Sequence, residues 1–376
     1  MVALARKTLT HEWRRFLPAI LAVGFAGLLQ LLQVALVLGI FGSASVYITA
    51  SAANLWAGYP GTLSVSLGQP IDRDVAMHLM MDPNVARVEP FDWVDGTWQS
   101  TRASAVTVFV CGIDPDAHGL MFARILSPAL RIRLKEPGAV ILDRADLGNL
   151  GTHVGGYARI NGRLVQVIGA SPGLRALGGV NVLASLDTAR SLDDDPEDVG
   201  HATFYVASLH HPAQAADVAR RLNGAHAFGP YKVWTASNLA WRSQMYWIFD
   251  TGAGAGVLFL AGIVFLVGVV ITSQTLVAAV AGSMRQYATL NALGVGVGSL
   301  RRVVMEQAFW VGAIGLVGSV LVGLALYALA RSHDVPIAIN VPATLICLAL
   351  NMLLAIVSGL AAMRTLRRAD PASLLR

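Results

Sequence analysis

The sequence predicts a membrane protein: a four-helix transmembrane bundle with a mixed α/β extracytoplasmic domain inserted between helices 1 and 2. Three observations lead there. Four stretches are long, apolar and free of charge; basic residues are distributed very unevenly among the short segments; and residues 44–250 alone have the composition of ordinary soluble protein. Over the whole chain of 376 residues, charged side chains reach only 14%, against roughly 25% in soluble proteins. The hydrophobic share is 55%. This excludes an all-soluble enzyme, a disordered chain and a coiled coil. Two cysteines, Cys111 and Cys347, are too few for a disulfide scaffold or a Cys-based zinc site.

Residues 1–15 read as a cytoplasmic amphipathic elbow. Leu9, Trp13, Phe16 and Leu17 share a helical face, with Arg6, Lys7 and Arg14 elsewhere; a snorkelling membrane anchor explains that pattern equally well. The first span occupies 16–43, and its charge-free part, 16–40, would be ~37 Å long as a helix. It is too long for the apolar region of a signal peptide, and no small-x-small cleavage site is obvious between its apolar core and Ser43. Spans two, three and four lie within 251–283, 305–330 and 341–363, with charge-free windows at 252–280, 308–330 and 341–363. One charge at a helix centre costs ~2.5–3.5 kcal/mol of insertion free energy, so four clean windows are hard to read otherwise.

Lys and Arg set the orientation. Arg6, Lys7, Arg14 and Arg15 precede span one; Arg285, Arg301 and Arg302 lie between spans two and three; Arg364, Arg367, Arg368 and Arg376 fall in the tail, 364–376. Facing these, the short loop 331–340 holds Arg331 alone. Both termini are therefore expected in the cytoplasm and residues 44–250 outside. The net charge of +5 reflects this topology, so no nucleic-acid partner follows from it; membrane lipid does. Tyr47 and Trp56 follow span one, Trp241, Tyr246 and Trp247 precede span two, and Trp13 and Trp310 lie near cytoplasmic ends. Interfacial anchoring accounts for such aromatics. A minority can instead line a substrate entry path, and Tyr47, Trp56, Tyr246 and Trp247 are the candidates for such contact.

Within the outer domain, residues 62–67 alternate weakly and read as a strand. Asp72 can cap a helix running to Met81, with Val75, Leu79 and Met80 on its apolar face. Residues 104–112 are β-rich. The clearest hairpin joins 157–160 to 164–168 through Asn161-Gly162, a pair suited to the positive φ angles of a type I′ turn. Residues 181–184 and 203–207 read as further strands. Residues 212–222 read as a helix with Ala216, Ala219 and Leu222 inward, and 234–250 as a helical lead into span two. Asp193–Asp195 with Glu197 and Asp198 form an acidic loop, solvated or calcium-binding.

Chemistry-bearing motifs are missing. His201, His210 and His211 lack the spacing of a helical zinc pair, and no HExxH occurs. No Walker A sequence is present; at Gly294–Gly298 the run continues Ser299-Leu300, where Lys-Ser/Thr would be needed to hold phosphate and magnesium. Cys111 sits in an apolar strand as a buried thiol. Gly252, Gly254 and Gly256 on span two, and Gly312, Gly315 and Gly318 on span three, suit close helix contacts, within the chain or in a dimer. Within the charge-free windows only Gln30, Gln33, Gln274 and Asn351 are strongly polar, which offers no obvious path for an ion and favours an apolar or amphiphilic solute.

Between spans two and three run Met284, Arg285, Gln286, Tyr287, Ala288, Thr289, Leu290, Asn291, Ala292, Leu293 and Gly294. As a helix, Met284, Tyr287, Leu290 and Asn291 fall on one side and Arg285, Gln286 and Thr289 on another. The run resembles the R-E-x-A-x-L-[KR]-A-[LI]-G coupling segment of the MacB/FtsX-type permease superfamily of ABC transporters, also called type VII or mechanotransmission transporters. The closing residues, Arg367 to Arg376, are similar to that family's A-x-x-[LD]-x-P-x-x-x-L-R, and residues 11–56, ending Asn54-Leu55-Trp56, resemble its DevC-like branch. Gln286 and Asn291 stand where the family often has an acid and a base, which shifts the contact toward shape and Arg285.

The resemblance implies the permease subunit of an efflux or extraction system in an inner membrane. It implies a separate cytoplasmic ABC ATPase docking on 284–304, a homodimer or close-paralogue pair, and in DevC-like members a periplasmic adaptor and outer-membrane channel. The chain would be no enzyme and bind no cofactor, since ATP sits on the partner. An FtsX-like transenvelope signalling protein, activating a cell-wall hydrolase without transport, is the alternative.

Overall fold

The computed structural model describes residues 13–100, 105–193, 201–224, 230–282, 296–332, 335 and 337–368. The chain divides into Ile40–Ala255 and a second unit holding the remainder.

In Ile40–Ala255 the helices are α1 (Val46–Thr49), α2 (Asp74–Met80), α3 (Pro128–Arg133), α4 (Leu186–Leu192), α5 (Ala215–Asn223) and α6 (Ala236–Met245). The strands are β1 (Leu55–Gly58), β2 (Val85–Gln99), β3 (Val106–Ile113), β4 (Ala139–Asp143), β5 (Tyr157–Ile160), β6 (Arg163–Ser171), β7 (Val180–Ser185), β8 (Phe204–Leu209) and β9 (Lys232–Thr235). β2 organises the domain. Its first half pairs antiparallel with β8, from Val85↔Leu209 to Phe91↔Phe204, and its second half with β3, from Asp92↔Gly112 to Trp98↔Val106. One strand thus belongs to two sheets.

The first sheet has the order β2-β8-β1-β9, antiparallel throughout. In chain order it is two β-α-β units, β1-α2-β2 and β8-α5-β9, the split arrangement of ferredoxin-like folds. Both helices cover one face, where Val75 and Leu79 of α2 and Val218 and Leu222 of α5 bury against Leu55, Ala57 and Ala207. The second sheet arises from the long insertion between β2 and β8. It runs β2-β3-β7-β4-β6-β5 and returns to β2 through Trp98↔Ile160, closing six strands into a barrel. Closure removes the exposed edges that a short open sheet would leave. Alternate residues fill the interior, among them Trp98, Val110, Leu142, Ile160 and Val167. Gly96 is required there, because a Cβ would lie 2.8 Å from Ile160 Cγ2. A third core holds Trp56, Phe91, Phe204 and Trp234 together with Cys111, Ile141 and Leu183 of the barrel strands.

The Asn161-Gly162 turn forms as expected, with φ of 50° and 78°, and the strands read at 104–112, 181–184 and 203–207 correspond to β3, β7 and β8. Other expectations are corrected. Residues 62–67 are no strand: Val65–Leu67 is a 3-10 turn whose Val65 N–H donates to Ser243 Oγ at 3.0 Å. Met80 points outward and His78 takes the inner position. In α5 Val218 is buried where Ala216 was expected. Trp234 belongs to β9, so the helical lead begins at Ala236. Most of the acidic loop lies outside the described residues.

Among the described residues, four apolar helices, lying mainly in the second unit, are long enough to cross a membrane: Trp13–Gly42, Gly252–Gly282, Val297–Ser332 and Val341–Arg368. Each contains one predicted window. The third starts at Val297, so part of the predicted 284–304 segment is already continuous with it. Helices one and three meet backbone to backbone, since a Cβ on Gly24 would lie 3.1 Å from Gly315 O, and one on Gly315 2.9 Å from Ile20 O. Gly312 lies against Met352 and Ala355 of helix four. Gly252, Gly256 and Gly318 have nothing within 4 Å, and Gly254 faces the carbonyls of its own preceding turn, so within the chain only Gly312 and Gly315 of these six glycines meet another helix.

Candidate functional site

The two chain segments that join the outer domain to helices one and two form a stalk junction. On the first, a 3-10 turn, Ser43–Ser45, leads into α1. Tyr47 of α1 is 1% exposed, and its hydroxyl donates to Asn181 Oδ1 on β7 at 2.5 Å. Its ring packs edge-on against Trp93, centroids 4.9 Å apart. Asn181 is fully buried, and its amide donates to Leu174 O at 2.5 Å. A polar side chain in a core is tolerated when its groups are paired, as these are.

The second segment is α6, capped at its start by Thr235, whose hydroxyl accepts from Asn238 N–H at 3.3 Å. Ser243 Oγ donates to Leu239 O and accepts from Val65 N–H. Gln244 Nε2 donates to Ser45 Oγ at 2.8 Å, tying one stalk to the other. A π-helical turn, Tyr246–Asp250, follows; such turns inside helices frequently mark functional positions. The Trp247 ring lies over Gly178, where a Cβ would be 3.7 Å from the indole, and Gly178 has φ +105°. Both stalks therefore touch the connection from β6 to β7 and its first β7 residues, 174–181. That connection is pinned to the barrel: Leu174 N–H donates to the buried Asp143 Oδ2 at 2.7 Å, and Arg175 pairs with the buried Asp146 at 2.7 Å.

Beside Tyr47, Glu89 and Arg131 hold the 114–122 loop. Glu89 Oε2 accepts from Leu120 N–H at 2.7 Å and its other oxygen lies 2.5 Å from Arg87. Arg131 donates to the carbonyls of Asp114 and Met121. Burial raises the Glu89 pKa above the usual carboxylate range and lowers that of Arg131. Burial also pushes the Cys111 thiol up, which keeps it protonated and inert.

Two of the four candidate cargo contacts are corrected. Tyr47 and Trp56 are in the core of the outer domain, Trp56 0% exposed with its ring edge-on to Phe91 and Phe204. Apolar stacking inside a folded domain outweighs interfacial anchoring for both. Tyr246 and Trp247 stay half-buried and adjacent, 5.9 Å apart. The coupling residues Met284, Arg285, Gln286, Tyr287, Ala288, Leu290, Asn291, Ala292, Leu293 and Gly294 lie outside the described residues. Of the polar groups in the spans, Asn351 Nδ2 donates to Gln30 Oε1 at 2.6 Å and to Cys347 O at 2.9 Å, so these two serve each other. Asn181, Gln244, Ser45 and Gly178 were not anticipated; only Asn181, polar between apolar β7 neighbours, carried a signal.

Residues 258–371 match the FtsX-like permease C-terminal family. The chain carries an FtsX-like permease domain. That domain takes in the second, third and fourth apolar helices and the whole 284–294 segment, in agreement with the superfamily resemblance read there, and with the four helices it makes this a membrane protein. Among solved structures the chain is similar to the periplasmic region of MacB from Actinobacillus actinomycetemcomitans, with 12% identity over 51% of this chain and 93% of that one and a TM-score of 0.36. It is also similar to the extracellular domain of the noncanonic ABC-type transporter YknZ from Gram-positive bacteria, with 13% identity, 48% and 99% coverage and a TM-score of 0.34. No curated protein matches. None of these matches bears on the DevC-like branch.

Proposed function

We propose that this chain is the membrane subunit of an ABC-type efflux or extraction system in an inner membrane. Both termini are cytoplasmic and Ile40–Ala255 is outside. A separate ABC ATPase docks on residues 284–294 and supplies the nucleotide chemistry; a second copy of the chain completes the transporter, and a periplasmic adaptor and outer-membrane channel extend it. The observation that carries this reading is the FtsX-like permease domain over 258–371.

The stalk junction supports a mechanical role for the outer domain. Displacement of helix one or two acts on the stalks, and rigid hydrogen-bonded elements pass it on as a unit. Because Gln244 holds Ser45, and Tyr47 and Trp247 both engage 174–181, the two stalks move the β6–β7 connection together. Asp143 and Asp146 then carry the motion into β4 and the barrel. The cargo is apolar or amphiphilic, taken from the outer leaflet or from outside, with Tyr246 and Trp247 as its remaining aromatic contacts.

The test is reconstitution with a candidate ABC ATPase subunit from the same cell. The chain alone is expected to hydrolyse no ATP, and the pair to hydrolyse it faster than the ATPase alone. Tyr287→Asp and Gly294→Pro should abolish that stimulation while insertion is retained. Stimulation at wild-type level in both variants would place the ATPase contact elsewhere and overturn this account of coupling.

A further inference from the structure

The methionines of the outer domain are unevenly placed. The buried positions of α2 are Val75, His78 and Leu79, whereas Met77, Met80 and Met81 are 67%, 59% and 70% exposed. None of the three belongs to the hydrophobic core beneath the helix. Met81 still follows the helical path, with φ −73° and ψ −20°, and its N–H faces the carbonyls of Met77 and His78 at 3.2 Å each. Met77 therefore has Met80 at i+3 and Met81 at i+4, spacings that leave Cβ atoms roughly 5–6 Å apart, and Met80 and Met81 are consecutive in the chain. Unbranched, flexible thioether arms can close the remaining distance.

We propose that Met77, Met80 and Met81 form a thioether site for a soft monovalent cation, Cu(I) or Ag(I). Thioether sulfur is soft and uncharged, and it selects Cu(I) over zinc, calcium or magnesium, which take imidazole, thiolate or oxygen donors. It carries no proton to displace, so the site needs no deprotonation. Harder donors do not gather anywhere comparable: among the described residues no group of three His, Cys, Asp or Glu is placed to hold a metal. His78, on the same helix, faces inward with its ring 5.7 Å from that of Tyr231 and takes no part. The site is independent of the permease reading. A merely apolar docking face would also expose methionines, but such a face needs no sulfur, and leucine distinguishes the two.

The experiment titrates Cu(I) anaerobically into the full-length protein in detergent, in competition with bicinchoninate. Wild type is expected to hold about one equivalent that the combined Met77→Leu, Met80→Leu, Met81→Leu variant lacks. Each single leucine variant should weaken binding at least about tenfold, since loss of even an outer-shell partner of a metal ligand typically costs about that much. Leucine is as good a helix former as methionine and these positions are exposed, so α2 is kept. Cys111 and Cys347 are common to all variants and cancel in the difference. With 13C-methyl methionine, Ag(I) should move the Met77, Met80 and Met81 signals together and leave the buried Met121 in place. Equal Cu(I) binding in the triple variant, or a shift confined to one methionine, overturns the proposal.

Discussion

The Tyr47 hydroxyl and the Asn181 side chain, 134 residues apart in the chain, meet at 2.5 Å inside the outer domain. The bond joins the segment leaving helix one to a strand of the barrel, and Asn181 passes it on to Leu174. Two stretches that are remote in sequence are thereby joined inside one core.

Tyr47→Phe removes that donor and leaves a buried amide oxygen without it. Leaving a buried polar group unsatisfied costs about 1–3 kcal/mol, so thermal unfolding of the outer domain should shift down by several degrees. In the reconstituted system transport should fall further than basal ATPase activity. Equal loss of both would mean that the bond stabilises the domain without transmitting motion.

Glu89 gives the domain a pH dependence. Its pKa is raised in the folded state by burial, so the folded protein binds the proton more tightly than the unfolded chain. The stability contributed by this group therefore falls as pH rises from the ordinary glutamate range through the folded pKa. Unfolding temperatures of wild type and Glu89→Gln, followed from pH 4 upward, should show the wild type losing ground to the variant. A constant difference would contradict the sign.

Helices one and three depend on glycine at their crossing. Gly315→Leu has to push against Ile20 O and Gly24, and such overpacking typically costs about 1–3 kcal/mol. Lower detergent stability is expected. Gly318→Leu meets nothing within 4 Å and should be nearly silent; the opposite ranking would refute this crossing.

Topology is tested with single-cysteine reporters. Asn161 is a poor site, since its side chain bonds Thr97 N–H and the carbonyls of Asp95 and Leu192. Leu164, 62% exposed on the same hairpin, is better. Leu164→Cys should react with an impermeant maleimide from outside intact cells, and Ser373→Cys only after permeabilisation. The buried Cys111 and Cys347 should stay silent. Reaction of both reporters from one side would end the four-span arrangement.

The sequence by itself determined the four apolar helices, the inserted domain, the Asn161-Gly162 hairpin and the family of the C-terminal part. Each depends on properties carried locally: insertion follows the summed hydropathy of one window, and a type I′ turn follows from two residues that accept positive φ. Tertiary structure decided what β2 is. Its fifteen residues, Val85–Gln99, include Pro90 and Gly96 and alternate imperfectly, because one half answers to β8 and the other to β3. Barrel closure at Trp98↔Ile160 likewise has no local signature. It also decided the fate of Tyr47 and Trp56, which resemble interfacial anchors next to a span but are buried by partners over a hundred residues away, Asn181 and Phe204. Met80 is the converse case, apolar by pattern and left outside because His78 filled the inner position. Periodicity reports which face of an element is apolar; which face is covered depends on what the rest of the chain brings to it.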